Sequence, residues 1–323
     1  MSRVSRLSTV SATQSTEDLD EVQETSARVP LTTRDGFDHD PDEAKLPSNW
    51  TASTGTTGTG QYQLTNRGGS VLTKPVINNI YLGDYWNTTA GKTISTKNDA
   101  YAKDIEQSSY MGVLAQYGVG KGTFAGSTVV PGAAPKEVTE SDIQSIVKKA
   151  ITSGTQSSDP QAIHTVILPP GTILSDGDAD STNGLGGYHG SYAGPDGKPV
   201  YYAAIVYGQG SNGIDFDGKP QDAISIVESH EWSEAETDPD VNSPVKGKKL
   251  GWYNDANGEI GDEALNALPL KSVYAKVDGF AVQKEWSNKD QAFETAPKKA
   301  TKTTTTKSVT SKGTSTNKGP IFG

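Results

Sequence analysis

The sequence predicts an α+β domain over residues 67–295, with a mixed sheet packed on one organising helix. Apolar strand-like runs and helix-like stripes follow one another without a strict β-α-β rhythm, which favours α+β over a doubly wound sheet. Glycine (35) and proline (17) are frequent enough among 323 residues to make much of the chain turn and loop. Composition also changes sharply at both ends. Between Glu17 and Glu43 ten acidic residues face only Arg28 and Arg34, and a Gly/Thr/Ser tract runs from Thr51 to Gly60. Such a segment has too little apolar surface to offset its ordering entropy, so residues 1–66 are expected to be a disordered leader. Residues 297–323 hold six lysines, eight threonines and no acid. Residues 296–323 are therefore expected to be a disordered basic tail.

Within the domain, Pro75 to Trp86 reads as a strand ending in a polar turn. Asn98 to Tyr117 reads as a helix with an uneven apolar stripe, stopped by Gly118 and Gly120. Glu140 to Ile151 is a clearer helix. Thr139 can cap it, Asp142 sits in its first turn, and Ile143, Ile146, Val147 and Ala150 share a face. Ala162 to Leu168 is a buried-strand pattern ended by Pro169 and Pro170. The strands on either side of Pro195-Asp196-Gly197 read as a hairpin, the second running from Val200 to Tyr207. The organising helix starts near Pro220, a residue suited to a first helical turn. It ends near Thr237, because Pro239 disfavours helical geometry at Asp238. Val273 to Val282 reads as a last strand or extended piece.

Charge and composition exclude several classes. The formal net charge is −10, which argues against a nucleic-acid partner. With no cysteine, disulfides and thiolate metal sites are ruled out. Any metal must be held by carboxylates, carbonyls or the four histidines, His39, His164, His189 and His230. No apolar run reaches the length of a membrane span. Met1 to Thr16 lacks the apolar stretch of a secretory signal.

The chemistry concentrates in Ser229-His230-Glu231-Trp232-Ser233-Glu234. His230 and Glu234 lie one helical turn apart and can reach one ion. Ala223 and Val227 continue the same face, so the packing stripe runs into the two polar residues. In zinc peptidases built on His-Glu-x-x-His, two histidines bind zinc and the glutamate takes a proton from the attacking water. Here Glu234 replaces the second histidine. One imidazole among several carboxylates keeps zinc as the first expectation and admits manganese or calcium. A third ligand is sought in Glu259 and Asp262, within Gly258-Glu259-Ile260-Gly261-Asp262, or nearer by in Asp238 and Asp240. Like carboxylates gathered there raise one another's pKa, and a cation relieves that. The plainer alternative makes Asp238 and Asp262 helix-capping groups with no metal. His189, between Gly187 and Gly190, is expected as a fourth ligand or as a donor to a developing oxyanion. His164 reads as a core histidine, and His39 has no expected role.

Taken together, these segments resemble the exordium or phosphate-induced protein family and its microbial relatives. The resemblance rests on Ser229-His230-Glu231-Trp232-Ser233-Glu234-Ala235-Glu236-Thr237-Asp238-Pro239, Gly251-Trp252-Tyr253 and Gly258-Glu259-Ile260-Gly261-Asp262. It also rests on Gly187-Tyr188-His189-Gly190-Ser191-Tyr192, Val76 to Trp86 and Ser109 to Gly118. It covers about residues 70–290 and implies a zincin-like domain and a secreted metallopeptidase. Two departures stand out. The family often has a cysteine where this chain has Glu263, and its relatives usually carry a secretion signal, so cytoplasmic or non-classical export stays open. The leading expectation is thus a metal-dependent hydrolase acting on a peptide or protein. His230, Glu234 and Asp262 would hold the ion, with Glu259 or Asp238 as substitutes. Glu231 would act as base, and His189 would steady the oxyanion. The alternative is a non-catalytic extracellular or surface protein that keeps the fold, with a structural cation or none. Nothing in the sequence fixes the oligomeric state.

Overall fold

A computed structural model describes residues 60–298, apart from 178, 209–211, 213–218 and 242. The expectations for residues 1–59 and 299–323, His39 among them, lie outside the described residues. The chain enters with β1 (Thr65–Asn66), β2 (Val76–Leu82), α1 (Thr89–Ile105), α2 (Met111–Leu114) and β3 (Thr123–Val130). There follow β4 (Glu137–Thr139), α3 (Glu140–Thr152), β5 (Ala162–Ile167), β6 (Ile173–Asp176) and β7 (Ala179–Asp180). Then come the hairpin strands β8 (Gly187–Ala193) and β9 (Pro199–Ile205), and α4 (Pro220–Thr237). The chain closes with β10 (Trp252–Tyr253), α5 (Ile260–Ala267), α6 (Leu270–Val273), β11 (Tyr274–Val277), β12 (Phe280–Gln283), β13 (Glu285–Ser287) and β14 (Ala292–Glu294).

The architecture is mixed α+β. Its main sheet has five strands in the order β3-β2-β5-β9-β8. The first four run parallel, and β8 closes one edge antiparallel to β9. Successive side chains of a strand point to opposite faces. On one face Tyr202 of β9 donates to Glu140 of α3 at 2.6 Å. On the other, Thr165 of β5 accepts from the Trp232 indole of α4 at 2.9 Å, and Tyr101 of α1 stacks on that indole. Small hairpins from the C-terminal third cover the far side of α4, where Ser225 donates to the Ala281 carbonyl at 2.7 Å. The helix therefore lies between the sheet and a second layer, and every residue from Ala223 to Thr237 is buried. The apolar stripe alone does not single out His230 and Glu234, because α4 has no solvated face over that span and Glu228, Glu231 and Glu236 are buried too.

Several boundaries move. The helix expected at Asn98 starts at Thr89, where the Thr88 hydroxyl accepts from the Gly91 amide at 3.1 Å. It ends at Ile105, and α2 is a separate turn before Gly118, whose φ of 97° supplies the left-handed stop. The expected last strand is the hairpin β11–β12, turned at Asp278 and Gly279 with φ of 50° and 90°. Packing also reaches ahead of residue 67. Leu64 is buried, and Tyr62 packs against Trp286 and Phe293. No described helix is long and apolar enough to cross a membrane.

Candidate metal centre

The last turns of α4 bring His230, Glu231 and Glu234 to the edge of the sheet, facing β8. Close approach there depends on glycine. A Cβ on Gly187 of β8 would lie 2.9 Å from a Val227 methyl and 3.0 Å from Glu231 Oε1. On the opposite side, a Cβ on Gly261 of α5 would lie 2.6 Å from His230 Nδ1 and 2.7 Å from Glu234 Oε1. Three chain segments thus converge on one small volume, with His189 from β8, the triplet from α4, and Glu259 just ahead of α5.

Two groups of three potential donors result, His230-Glu231-Glu234 and His189-Glu234-Glu259, with Glu234 common to both. His230 Nε2 lies 3.2 Å from Glu234 Oε1. His189 Nδ1 lies 3.4 Å from both Glu231 Oε2 and Glu234 Oε2, and its Nε2 lies 3.6 Å from Glu259 Oε1. Tetrahedral donors about 2.0–2.1 Å from zinc are about 3.3 Å apart, so these spacings suit a first-row ion. All five side chains are buried, none more than 4% exposed. Among the described residues, His189 Nε2, His230 Nε2 and both Glu234 oxygens are buried without a hydrogen bond. Buried polar atoms in that state are costly, and a cation at either group would answer those it reaches. Each group sets one imidazole among carboxylates, a donor set open to more than one divalent ion.

Burial pushes the Glu234 carboxyl well above its ordinary range, and the charges of Asp262 and Glu259 add to the effect. For His189, burial pulls the imidazole down, but Glu259, Glu231 and Glu234 more than offset it, and the net shift is well upward. Asp238 is pushed up to about 7, mainly by burial, while the Gly251 amide and His189 pull the other way.

The remaining sequence candidates are placed as follows. Asp262 and Asp238 belong to neither donor group. Asp262 Oδ2 accepts from the Glu259 amide at 3.1 Å, in a reciprocal cap at the start of α5. Asp238 is the C-cap residue of α4. Asp240 accepts from the Tyr201 hydroxyl at 3.1 Å and pairs with Lys248 at 2.8 Å. His164 is buried in β5, its imidazole lowered to about 4 by burial, in keeping with a neutral core histidine. His189 is one residue of the second donor group.

Sequence reasoning missed Gln283, whose Oε1 lies 3.1 Å from His230 Nδ1. The signal was there in Phe280-Ala281-Val282-Gln283, where one polar side chain ends an apolar strand. In comparisons with known proteins, the chain matches no family model, no curated protein and no solved structure.

Proposed function

We propose that this chain is a metal-dependent hydrolase, a zincin-like metallopeptidase with zinc as its best-fitting cation. One observation carries the reading: His230 Nε2 and Glu234 Oε1 face each other at 3.2 Å, buried and without a hydrogen bond, with a second imidazole and a second carboxylate beside them. His230, Glu234, His189 and Glu259 would hold the ion. When bound, such an ion supplies Lewis acidity toward a carbonyl oxygen and toward water. Glu231 is the residue assigned to move the proton. It follows His230 directly on α4, and its Oε1 is buried without a hydrogen bond. His189 Nδ1, 3.4 Å away, orients the other oxygen of Glu231. Asp262 holds Glu259 through the α5 cap. The peptide class is drawn from the sequence resemblance and from the position of His189 on β8. That strand is the last of the sheet, where an extended chain can add by main-chain pairing.

A second reading is favoured by burial of all five donors. A closed shell is the habit of structural ions, an open position that of catalytic ones. In that reading the protein is non-catalytic and the cation braces the fold. The test is metal analysis of the purified protein, then hydrolysis of a casein-type substrate with and without chelator. The hydrolase reading expects Glu231→Gln to keep the metal and lose hydrolysis. A variant as active as its parent removes Glu231 from the reaction. A parent that binds zinc, loses stability with chelator and cleaves nothing establishes the second reading.

A further inference from the structure

We infer that Gln283 is a positioning residue for this centre, fixing which ring nitrogen of His230 presents a lone pair to the cation. The inference rests on the metal reading above for its purpose, but its geometry stands apart from it. Gln283 is fully buried at the end of β12. Its backbone amide donates to the Ser229 hydroxyl at 2.8 Å, anchoring the strand to α4 beside His230. Its side-chain Nε2 donates to the Gly261 carbonyl at 2.7 Å and lies 3.5 Å from Glu285 Oε1. Glu285 is itself held by the Tyr110 hydroxyl at 2.8 Å.

These contacts settle the amide's orientation. The NH2 end faces two oxygens, and a flipped amide would set its own oxygen against both. Oε1 is therefore the atom at 3.1 Å from His230 Nδ1. An oxygen there accepts only from a protonated Nδ1. In the neutral ring a hydrogen on Nδ1 leaves Nε2 its lone pair, and Nε2 is the atom facing Glu234 Oε1 at 3.2 Å. Two unprotonated acceptors at that distance repel, and a proton or a metal cation between them relieves the repulsion. A partner on the far nitrogen of a ligating histidine sets tautomer and ring orientation. Here the same amide also ties α4 to the start of α5, which carries Glu259.

Three samples test this, each with labelled histidine, read by 15N shifts of the His230 ring at pH 8 without metal and by zinc affinity in chelator competition. The metal-free parent is expected to show hydrogen on Nδ1 and none on Nε2. Gln283→Met, close in shape but unable to accept, is expected to move the hydrogen toward Nε2 and to weaken zinc binding about 10–100-fold. Gln283→Glu keeps an acceptor for Nδ1–H and is expected to keep the parent tautomer, an outcome that simple loss of packing does not produce. A parent ring protonated at Nε2 overturns the inference, and that measurement needs no variant to fold. So does a Gln283→Met protein with parental tautomer and parental affinity. A parent that takes no zinc overturns the metal reading alone, and the ring tautomer still decides the assignment of Gln283.

Discussion

The tightest contact in the centre gives the most demanding prediction. Gly261 occupies the first turn of α5 with an ordinary helical backbone, so alanine there brings no backbone strain. By propensity alone, Gly261→Ala gains up to about 1 kcal/mol, and less at so early a helical position. Against that, the new methyl would lie 2.6 Å from His230 Nδ1 and 2.7 Å from Glu234 Oε1. Carbon does not approach nitrogen or oxygen so closely, so α5 or the ring has to move. The ring is not free to do so, being hydrogen-bonded to Gln283 and packed in the buried stretch of α4. Overpacking of this kind costs about 1–3 kcal/mol, and the clash therefore outweighs the propensity gain. A net loss of about 1–2 kcal/mol corresponds to a fall of about 2–8 °C in Tm for a domain of this size. The assay is thermal unfolding with chelator present, so that metal occupancy plays no part, followed by zinc titration. Zinc affinity is expected to fall as well, since separating α5 from α4 carries Glu259 away from Glu234. A chelated variant at least as stable as the parent would refute the close packing of α5 on the centre.

Zinc at about 100 times its Kd stabilises the folded state by about 2.7 kcal/mol, or about 5–11 °C. His230→Ala is expected to abolish that increment, and identical melting of the parent with zinc and with chelator would contradict it. Away from the centre, burial raises the Glu106 carboxyl to about 8, with hydrogen bonds from Glu236 and the Gly122 amide pulling it down. A raised folded pKa means the folded state holds the proton more tightly. The stabilisation is complete below the unfolded value near 4.5 and is lost as pH climbs through 8. Glu106→Gln stays neutral, so its urea midpoint relative to the parent, measured with chelator, is expected to be higher at pH 9 than at pH 5. Glu263 and Asp238 titrate in the same window in both proteins and leave that difference alone. An equal difference at the two pH values would show that the Glu106–Glu236 pair is not carrying a buried proton.

Local signals in the sequence were the reliable ones. The cap at Thr139 and Asp142, the Asp196-Gly197 turn, and Pro220 with Pro239 around α4 each work within a few residues, and each element forms where it was expected. The first two turns of α1 were missed because Thr89 to Lys97 has little apolar stripe; the Thr88 cap and packing on the sheet decide the helix instead. The hairpin β11–β12 reads in sequence as one strand or extended piece because its apolar character runs through Asp278-Gly279, although that dipeptide suits left-handed backbone. At the centre, the pairing of His230 with Glu234 follows from helical periodicity. The pairing of His189 with Glu259 does not, being set by an antiparallel edge strand and a helix start 70 residues apart along the chain. Asp262, expected as a ligand, stands three residues after Glu259, the spacing of a capping box, and the structure uses it so.

The buried carboxylates elsewhere act as an internal comparison. Glu228, on the same helix and as deeply buried as Glu234, accepts from the Asn98 amide at 2.8 Å. Glu285 has the Tyr110 hydroxyl. Glu236 has Glu106, a pair able to share one proton, since burial raises both. One oxygen of Glu228 and one of Glu285 thus have a hydrogen-bond partner, whereas both oxygens of Glu236, like both of Glu234, have none among the described residues. At the centre the neighbours of Glu234 are two imidazoles and other carboxylates, and no amide or hydroxyl is directed at its oxygens among the described residues. A fold able to furnish amides and tyrosines to carboxylates one turn away surrounds Glu234 with imidazoles and acids. Desolvation treats Glu228, Glu234 and Glu236 alike, so what sets Glu234 apart is the pair of imidazoles within 3.4 Å of its oxygens, the feature on which the proposed metal reading rests.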